Sequence, residues 1–210
     1  MDFDFAELTG TQYAKLLNAT TVPRPIGWIV TMDEAGSVNA APFSYYNVMS
    51  ANPPMVCIGI GSRPGAGNKD SAANIFATKQ FVVNLVDFEN RHKMNVGGAD
   101  FAAGISELEK AGLTTAPSKK IATPRIAESP VAYECELAHT IDLENDRYII
   151  VGRVLSVFIR DEMMLDAERL YVDTPKLDLI GRMHGRGWYV RTRDLFEMPR
   201  VTVEEVEAAE

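Results

Sequence analysis

Apolar and polar positions along this chain alternate with period two more often than they recur at helical spacing. Ile26, Trp28 and Val30 stand on one side of such an alternation, as in a half-buried strand. Asp33-Glu34-Ala35-Gly36 has turn chemistry, and residues 37–40 resume as the return strand. Asn52-Pro53-Pro54 breaks the chain before a third strand, MVCIGIG (55–61), with apolar residues on both faces. FVVNLVDF reads as another strand. VAYECELAHTIDL and YIIVGRVLSVFIR are two long strands, and the acidic stretch Asp142 to Asp146 joins them as an antiparallel hairpin.

Helical spacing is confined to short pieces. Residues 9–18 form a helix that Thr9 or Thr11 caps, with Tyr13, Leu16 and Leu17 on one face. SAANIFATK gives a second helix, and FENRHKMNV and ISELEKAGL give a helical insertion interrupted by Gly97-Gly98. Residues 114–130 hold Pro117, Pro124 and Pro130 and read as an extended linker. The chain ends with LYVDTP, LDLIGRMHGRGWYVRT, a helix near DLFEM, and a frayed acidic tail, VEEVEAAE. Between residues 26 and 61 no helix separates the strands, as a doubly wound fold requires. The order predicts a mainly β antiparallel barrel or sandwich with helical decorations.

Composition narrows the function classes. With 210 residues and 46% hydrophobic content, the chain suits one domain over 1–210, and disorder is excluded as its main state. Its core spans about 20–190, with the N-terminal helix and the acidic tail as decorations. A net charge of −8 argues against nucleic acid as a partner. No apolar run is long enough to span a membrane, and the N-terminus lacks signal-peptide character, so a cytoplasmic protein is expected. Cys57 and Cys135 sit in apolar stretches and read as buried reduced thiols. His92, His139 and His184 lie far apart, so no metal site is expected. Glu134 and Glu136 share a strand face that reads as solvated.

Three segments carry candidate chemistry. Arg63 to Ser71 (RPGAGNKDS) opens into a helix. Arg63 offers a planar donor fork and Lys69 a mobile cation, while Asp70 or Ser71 can cap the helix, whose first N–H groups are free for a phosphate. A solvated surface loop has the same composition. Asn39 to Asn47 combines small residues at Ala41 and Pro42 with hydrogen-bonding Ser44 and Asn47 and aromatic Phe43, Tyr45 and Tyr46. It suits a flat ligand, and taken alone it fits better a bulged strand with aromatic packing. Gly181 to Tyr189 places His184 in a glycine-rich loop, where it is either an exposed histidine or a proton donor beside a ligand. No nucleophile constellation accompanies these segments, so any reactive group is borrowed from a cofactor.

Together, VPRPIGWIVTMDEAGSVNAAPFSYYNVMSANPPMVCIGIG, RPGAGNKDSAANI, FVVNLV, ISELEKAGLT and AESPVAYECEL resemble the flavin reductase-like FMN-binding split-barrel family, in the branch related to reductase components of two-component monooxygenases. The resemblance covers about residues 20–190. It implies a six-stranded antiparallel split β-barrel of Greek-key type, noncovalent FMN, and a homodimer with the flavin near the subunit interface. The activity implied is flavin reduction by NADH or NADPH, with a monooxygenase as one downstream partner. FMN-binding electron transfer, flavin storage, or use of bound FMN on another substrate are the competing readings. The family's phosphate stretch falls on Arg63, Lys69, Asp70 and Ser71, with serine in place of threonine. Its Ala-Pro-Phe-Ser stretch, along the flavin ring and ribityl chain, falls on Ala41, Pro42, Phe43 and Ser44, followed by Tyr45 and Asn47. Thr31 and Trp28 are further flavin-facing candidates. The late Arg-Leu-Gly-Gly stretch reads Arg182-Met183-His184-Gly185, which makes His184 the candidate on the substrate or nicotinamide side.

Overall fold

The computed structural model describes residues 1–61, 70–99, 106–185 and 187–208. Seven strands share one antiparallel sheet: β1 (Gly27–Met32), β2 (Val38–Phe43), β3 (Tyr46–Ala51), β4 (Pro54–Ile60), β5 (Gln80–Leu85), β6 (Val131–Leu143) and β7 (Arg147–Ile159). Their order is β2-β1-β5-β6-β7-β4-β3. The two edge strands are therefore consecutive in the chain, linked only by Ser44 and Tyr45. The sheet curls until those edges approach, and the Gly59 N–H of β4 donates to the Tyr45 carbonyl at 2.7 Å. Among the described residues no ladder joins β2 to β3. The result is the expected antiparallel split barrel. Its large sheet has seven strands, the edge strand β3 being one that the sequence pattern did not announce.

One core cluster fills the barrel. Ile29, Phe43, Tyr46, Val56, Ile58, Ile60, Phe81, Val83, Cys135 and Ile150 come from all seven strands and meet Ala72 and Ile75 of the helix Asp70–Thr78 inside. Gly152 of β7 lies beside a register shift in its pairing with β6, and there the Phe81 ring packs against its backbone. Such bulges bend a strand and help a sheet to close.

A second cluster lies on the outer face. Trp28, Val30, Ala40 and Val82 pack there with Met94, Leu108, Leu113, Ile126 and Ile180. These partners come from the helical insertion, the segment 114–130 and the chain near residue 180. Strand β1 is consequently buried on both faces, not on one: Ile29 points into the barrel while Trp28 and Val30 face the insertion. By contrast β4 is buried on one face only. Val56, Ile58 and Ile60 point inward, and Cys57 is half-buried outside, which corrects the expectation of two apolar faces and two buried thiols.

The helices are α1 (Gly10–Thr20), α2 (Asp70–Thr78), α3 (Arg91–Val96) and α4 (Glu107–Lys110), followed by two short ones at Thr174–Leu177 and Val203–Glu207. Thr9 is the N-cap of α1, its N–H donating to Gln12 Oε1 at 2.8 Å. No helix forms at DLFEM. The last one lies in the acidic tail, where the Thr202 N–H donates to Glu205 Oε2 at 2.8 Å. That box satisfies the first N–H groups, which the periodicity around Leu195 could not do. No described helix is long and apolar enough to cross a membrane.

The segment 114–130 is less open than its prolines suggest. Thr115–Ala116 pairs with Arg125–Ile126. Glu134 is buried beneath it and accepts the N–H groups of Lys119 at 2.8 Å and Lys120 at 2.6 Å. The expected solvated Glu134–Glu136 face is thus split: the overlying loop buries Glu134, and Glu136 remains exposed.

Candidate flavin site

The stretch Ala41-Pro42-Phe43-Ser44 ends β2 at the split in the barrel. Phe43 turns into the core, while Ala41, Pro42 and Ser44 stay half-buried. Pro42, Phe43 and Ser44 form a ridge shared by two clefts. The first, of about 310 Å³, is completed by Ile26, Met94, Asn95, Gly98, Arg182 and Tyr189. The second, of about 530 Å³, runs past Tyr45 to Gly59–Gly61 and Arg147–Ile149. A third cleft, of about 330 Å³, adjoins the first through Met94, Asn95 and Tyr189 and reaches Arg91, His92 and Arg191.

Among the described residues, neither the Ser44 hydroxyl nor the Asn95 side-chain amide has a hydrogen-bond partner. Arg182 lies with its guanidinium carbon 4.6 Å from the centre of the Tyr189 ring. Directly opposite Arg182 in the strand register is Arg24. Arg24 is 7% exposed. Its fork donates to the carbonyls of Asn18 and Thr21 at 2.8 Å and of Met183 at 2.9 Å, and its Nε is buried without a partner. Burial lowers the Arg24 pKa from its ordinary value; Tyr45 opposes this, and the Arg182 charge adds to it.

Behind the ridge, α2 begins beside β2. With the Asn39 amide turned to satisfy its neighbours, its nitrogen donates to both oxygens of Glu107 at 3.1 and 3.0 Å, and its oxygen accepts from Ser71 Oγ at 3.1 Å. Ser71 is buried, and this chain fixes the first turn of α2 to β2 and α4. On the same helix the Asn74 amide donates to Thr31 Oγ1 at 3.1 Å.

The sequence-derived candidates fall into three groups. Ala41 to Tyr45 meet at the ridge, with Tyr45 exposed and its hydroxyl donating to Asn18 Oδ1 at 3.1 Å. Asp70 and Ser71 open α2, whereas Arg63 and Lys69 lie outside the described residues. The others stand apart from the clefts. Trp28 and Thr31 are fully buried and offer no surface to a ligand. Asn47 is exposed on β3, its side chain accepting from the Val48 N–H. His184 is exposed and stacks on Trp188 at 5.8 Å, and it lines none of these three clefts. In the first cleft, Asn95, Arg182 and Tyr189 are the polar lining residues to which sequence reasoning gave no role. Arg182 stood inside the glycine-rich motif, but only the fold places it in a cleft with Ser44 and Asn95.

The family model described as "Flavin reductase like domain" matches residues 19–175. The chain belongs to that family, and flavin-linked oxidoreduction is the class of chemistry its membership assigns. An uncharacterised protein of Deinococcus radiodurans is 41% identical over 95% of this chain and 89% of its own length. Among solved structures, the 2-nitrobenzoate 2-nitroreductase NbaA of Pseudomonas fluorescens is 33% identical with a TM-score of 0.88, covering 97% of this chain and 98% of that one. Nitrilotriacetate monooxygenase component B of Bacillus cereus is 27% identical with a TM-score of 0.87, covering 94% and 98%.

Proposed function

We propose that this protein is an FMN-dependent oxidoreductase that takes hydride from NADH or NADPH and acts as a dimer of identical chains. The observation that carries the reading is the Pro42–Ser44 ridge between two clefts, with free polar groups at its edge. A flavin fits these residues. Pro42 supplies an apolar wall, and Ser44 and Asn95 offer unused donors and acceptors to a polar ring edge. The N-terminus of α2, with Arg63, Lys69, Asp70 and Ser71, would take the phosphate.

When bound, the flavin supplies two-electron redox chemistry. The chain's own work is to orient and to place charge. Asn39 holds Ser71 and Glu107 so that the start of α2 keeps its position relative to the ridge. His184 lies outside these clefts and His92 lines the third, and the reading needs neither as an acid or base.

A second copy would cover exposed apolar residues beside the ridge. Tyr45, Val48 and Met49 are 53%, 53% and 62% exposed, and Leu143, which lines the same cleft as Tyr45, is 44% exposed. The likeness to a monooxygenase component B supports delivery of reduced flavin to an oxygenase. The likeness to NbaA favours a second reading, in which bound FMN reduces another organic substrate directly.

The experiment is equilibrium FMN binding to the purified chain, followed by steady-state NADH and NADPH oxidation with and without excess free FMN. Micromolar or tighter FMN binding with turnover that rises with free FMN is expected. FMN binding without nicotinamide oxidation would replace this reading by a carrier or storage role, and absent FMN binding would refute it.

A further inference from the structure

The Pro42–Ser44 ridge lines the first two clefts but not the third, and the flavin reading gives the third no occupant. Two segments far apart in sequence build it. The Phe88 N–H donates to the Asp178 carbonyl at 2.9 Å, which holds residues 88–92 beside residues 180–191. Phe88 carries two guanidiniums: the carbon of Arg91 lies 3.9 Å from its ring centre and that of Arg191 3.7 Å. The two charges are therefore less than about 8 Å apart, about one screening length at physiological salt. Arg193 is the third cation of the group. Among the described residues one carboxylate, Asp178, pairs with it, accepting from Arg191 and Arg193. Arg91 has no ion-pair partner among the described residues, in a chain whose net charge is −8.

Both forks that face Phe88 keep donors in reserve. Arg91 donates from Nη1 to the Phe88 carbonyl at 2.5 Å, and Arg191 uses Nε and Nη2 on Asp178. Nε and Nη2 of Arg91 and Nη1 of Arg191 have no partner among the described residues. His92, exposed, adds its ring nitrogens to the same lining. Met94, Ile180, Tyr189 and Val190 give the rest of the cleft apolar and aromatic walls. A phosphate group has three acceptor oxygens and a charge near −2. It matches two forks and a surplus of positive charge better than a carboxylate does.

We infer that the third cleft binds a nucleotide through a phosphate group, with Arg91 and Arg191 receiving the phosphate and Met94, Tyr189 and Val190 lying against the sugar or base. A volume of about 330 Å³ is within the range of ligand sites. Met94, Asn95 and Tyr189 also line the first cleft, so the occupant lies one side chain away from the flavin ring. Within the oxidoreductase reading, on which this identification rests, the nucleotide is the adenosine half of the hydride donor. The phosphate is then either the pyrophosphate, common to NADH and NADPH, or the 2′-phosphate that NADPH alone carries.

The test uses the full chain with and without FMN. ADP, 2′,5′-ADP and adenosine are titrated by calorimetry, and NADH and NADPH oxidation is followed in parallel. At least one of the two phosphate compounds is expected to bind at least about tenfold more tightly than adenosine. Arg91→Gln should weaken that compound at least about tenfold, raise the matching KM far more than it lowers kcat, and leave FMN affinity unchanged. Arg91→Lys, which keeps the charge, should retain most of the affinity. His92→Gln, at an exposed position, should weaken binding in the same direction with little risk to folding. A loss for ADP and both dinucleotides assigns the cleft to the pyrophosphate, and a loss for 2′,5′-ADP and NADPH alone assigns it to the 2′-phosphate. Equal affinity in wild type and Arg91→Gln overturns the inference. So does an equal loss in Arg91→Gln and Arg91→Lys, which would make Arg91 a support for Phe88, and so does a loss of FMN affinity, which would assign the charge to the flavin. Phosphate-dependent binding without oxidation of either dinucleotide leaves the nucleotide site standing and refutes the oxidoreductase reading instead.

Discussion

Gly152 should be the least replaceable glycine of the barrel. A Cβ built there would lie 2.9 Å from Phe81 Cε1 and closer still to Cζ, with Cε2 at 3.3 Å. Carbon atoms pack at about 3.5–4.0 Å, so the ring would have to retreat by about 1 Å or more. Phe81 is fully buried in the inner cluster with Phe43 and Tyr46, and has nowhere to go. Overpacking of this kind costs about 1–3 kcal/mol. The loss of glycine's freedom in the unfolded chain works the other way by about 0.4–1 kcal/mol. The steric clash is severe, so the net for Gly152→Ala is a destabilisation of about 2 kcal/mol, or about 4–8 °C in Tm for a chain of this size. Urea unfolding of the FMN-free protein at one fixed concentration measures it. Phe81→Leu alone should cost about 1–2 kcal/mol by leaving a cavity. In the Gly152→Ala background it should cost less, with a coupling of at least about 0.5 kcal/mol. A neutral or stabilising Gly152→Ala, or strictly additive variants, would refute the packing argument, because the backbone effect alone has the opposite sign.

Three further outcomes are expected. Asp178 sits at φ 46° and accepts from Arg191 and Arg193, and chiefly the Arg191 bond holds its carboxyl below the usual range. Its stabilisation is therefore present above the unfolded pKa of about 3.9 and lost as pH falls through the folded value. Asp178→Asn, which tolerates that backbone, should cost about 1–2 kcal/mol at neutral pH, and the deficit should vanish in acid. A deficit independent of pH would contradict the ion-pair account. Glu134→Gln leaves one buried N–H facing another donor, so protection of the Lys119 and Lys120 amides from hydrogen exchange should drop, and stability should fall by about 1–3 kcal/mol. Unchanged protection would mean that the loop is held by other contacts. Lys69→Ala should weaken FMN binding by about 1–3 kcal/mol, and unchanged affinity would remove Lys69 from the phosphate site.

The strands were legible where a residue's surroundings come from its own strand and its neighbours. The long hairpin was read with its bounds nearly intact, at Val131–Leu143 and Arg147–Ile159. Strand β3 escaped notice because Tyr46–Ala51 is an edge strand with a mostly exposed face, so Val48 and Met49 leave no alternating pattern. The misread faces have a common cause. Whether Trp28 or Glu134 is covered depends on the helical insertion and the 114–130 segment, which lie outside the strands that carry them. The ridge residues Pro42, Phe43 and Ser44 were legible as a motif. Asn95 and Tyr189 carried no motif of their own and became site residues by being folded against that ridge.

By itself the sequence determined the succession of most strands, the long hairpin and the family to which the chain belongs. These follow from local periodicity, turn chemistry and ordered motifs. Only the tertiary structure decided which face of β1 and β4 is covered, that β2 and β3 form the two lips of the split, and that Arg182 shares a cleft with Ser44 and Asn95. Side-chain alternation is a property of one strand, whereas burial and unbalanced charge are properties of what the rest of the chain places opposite it.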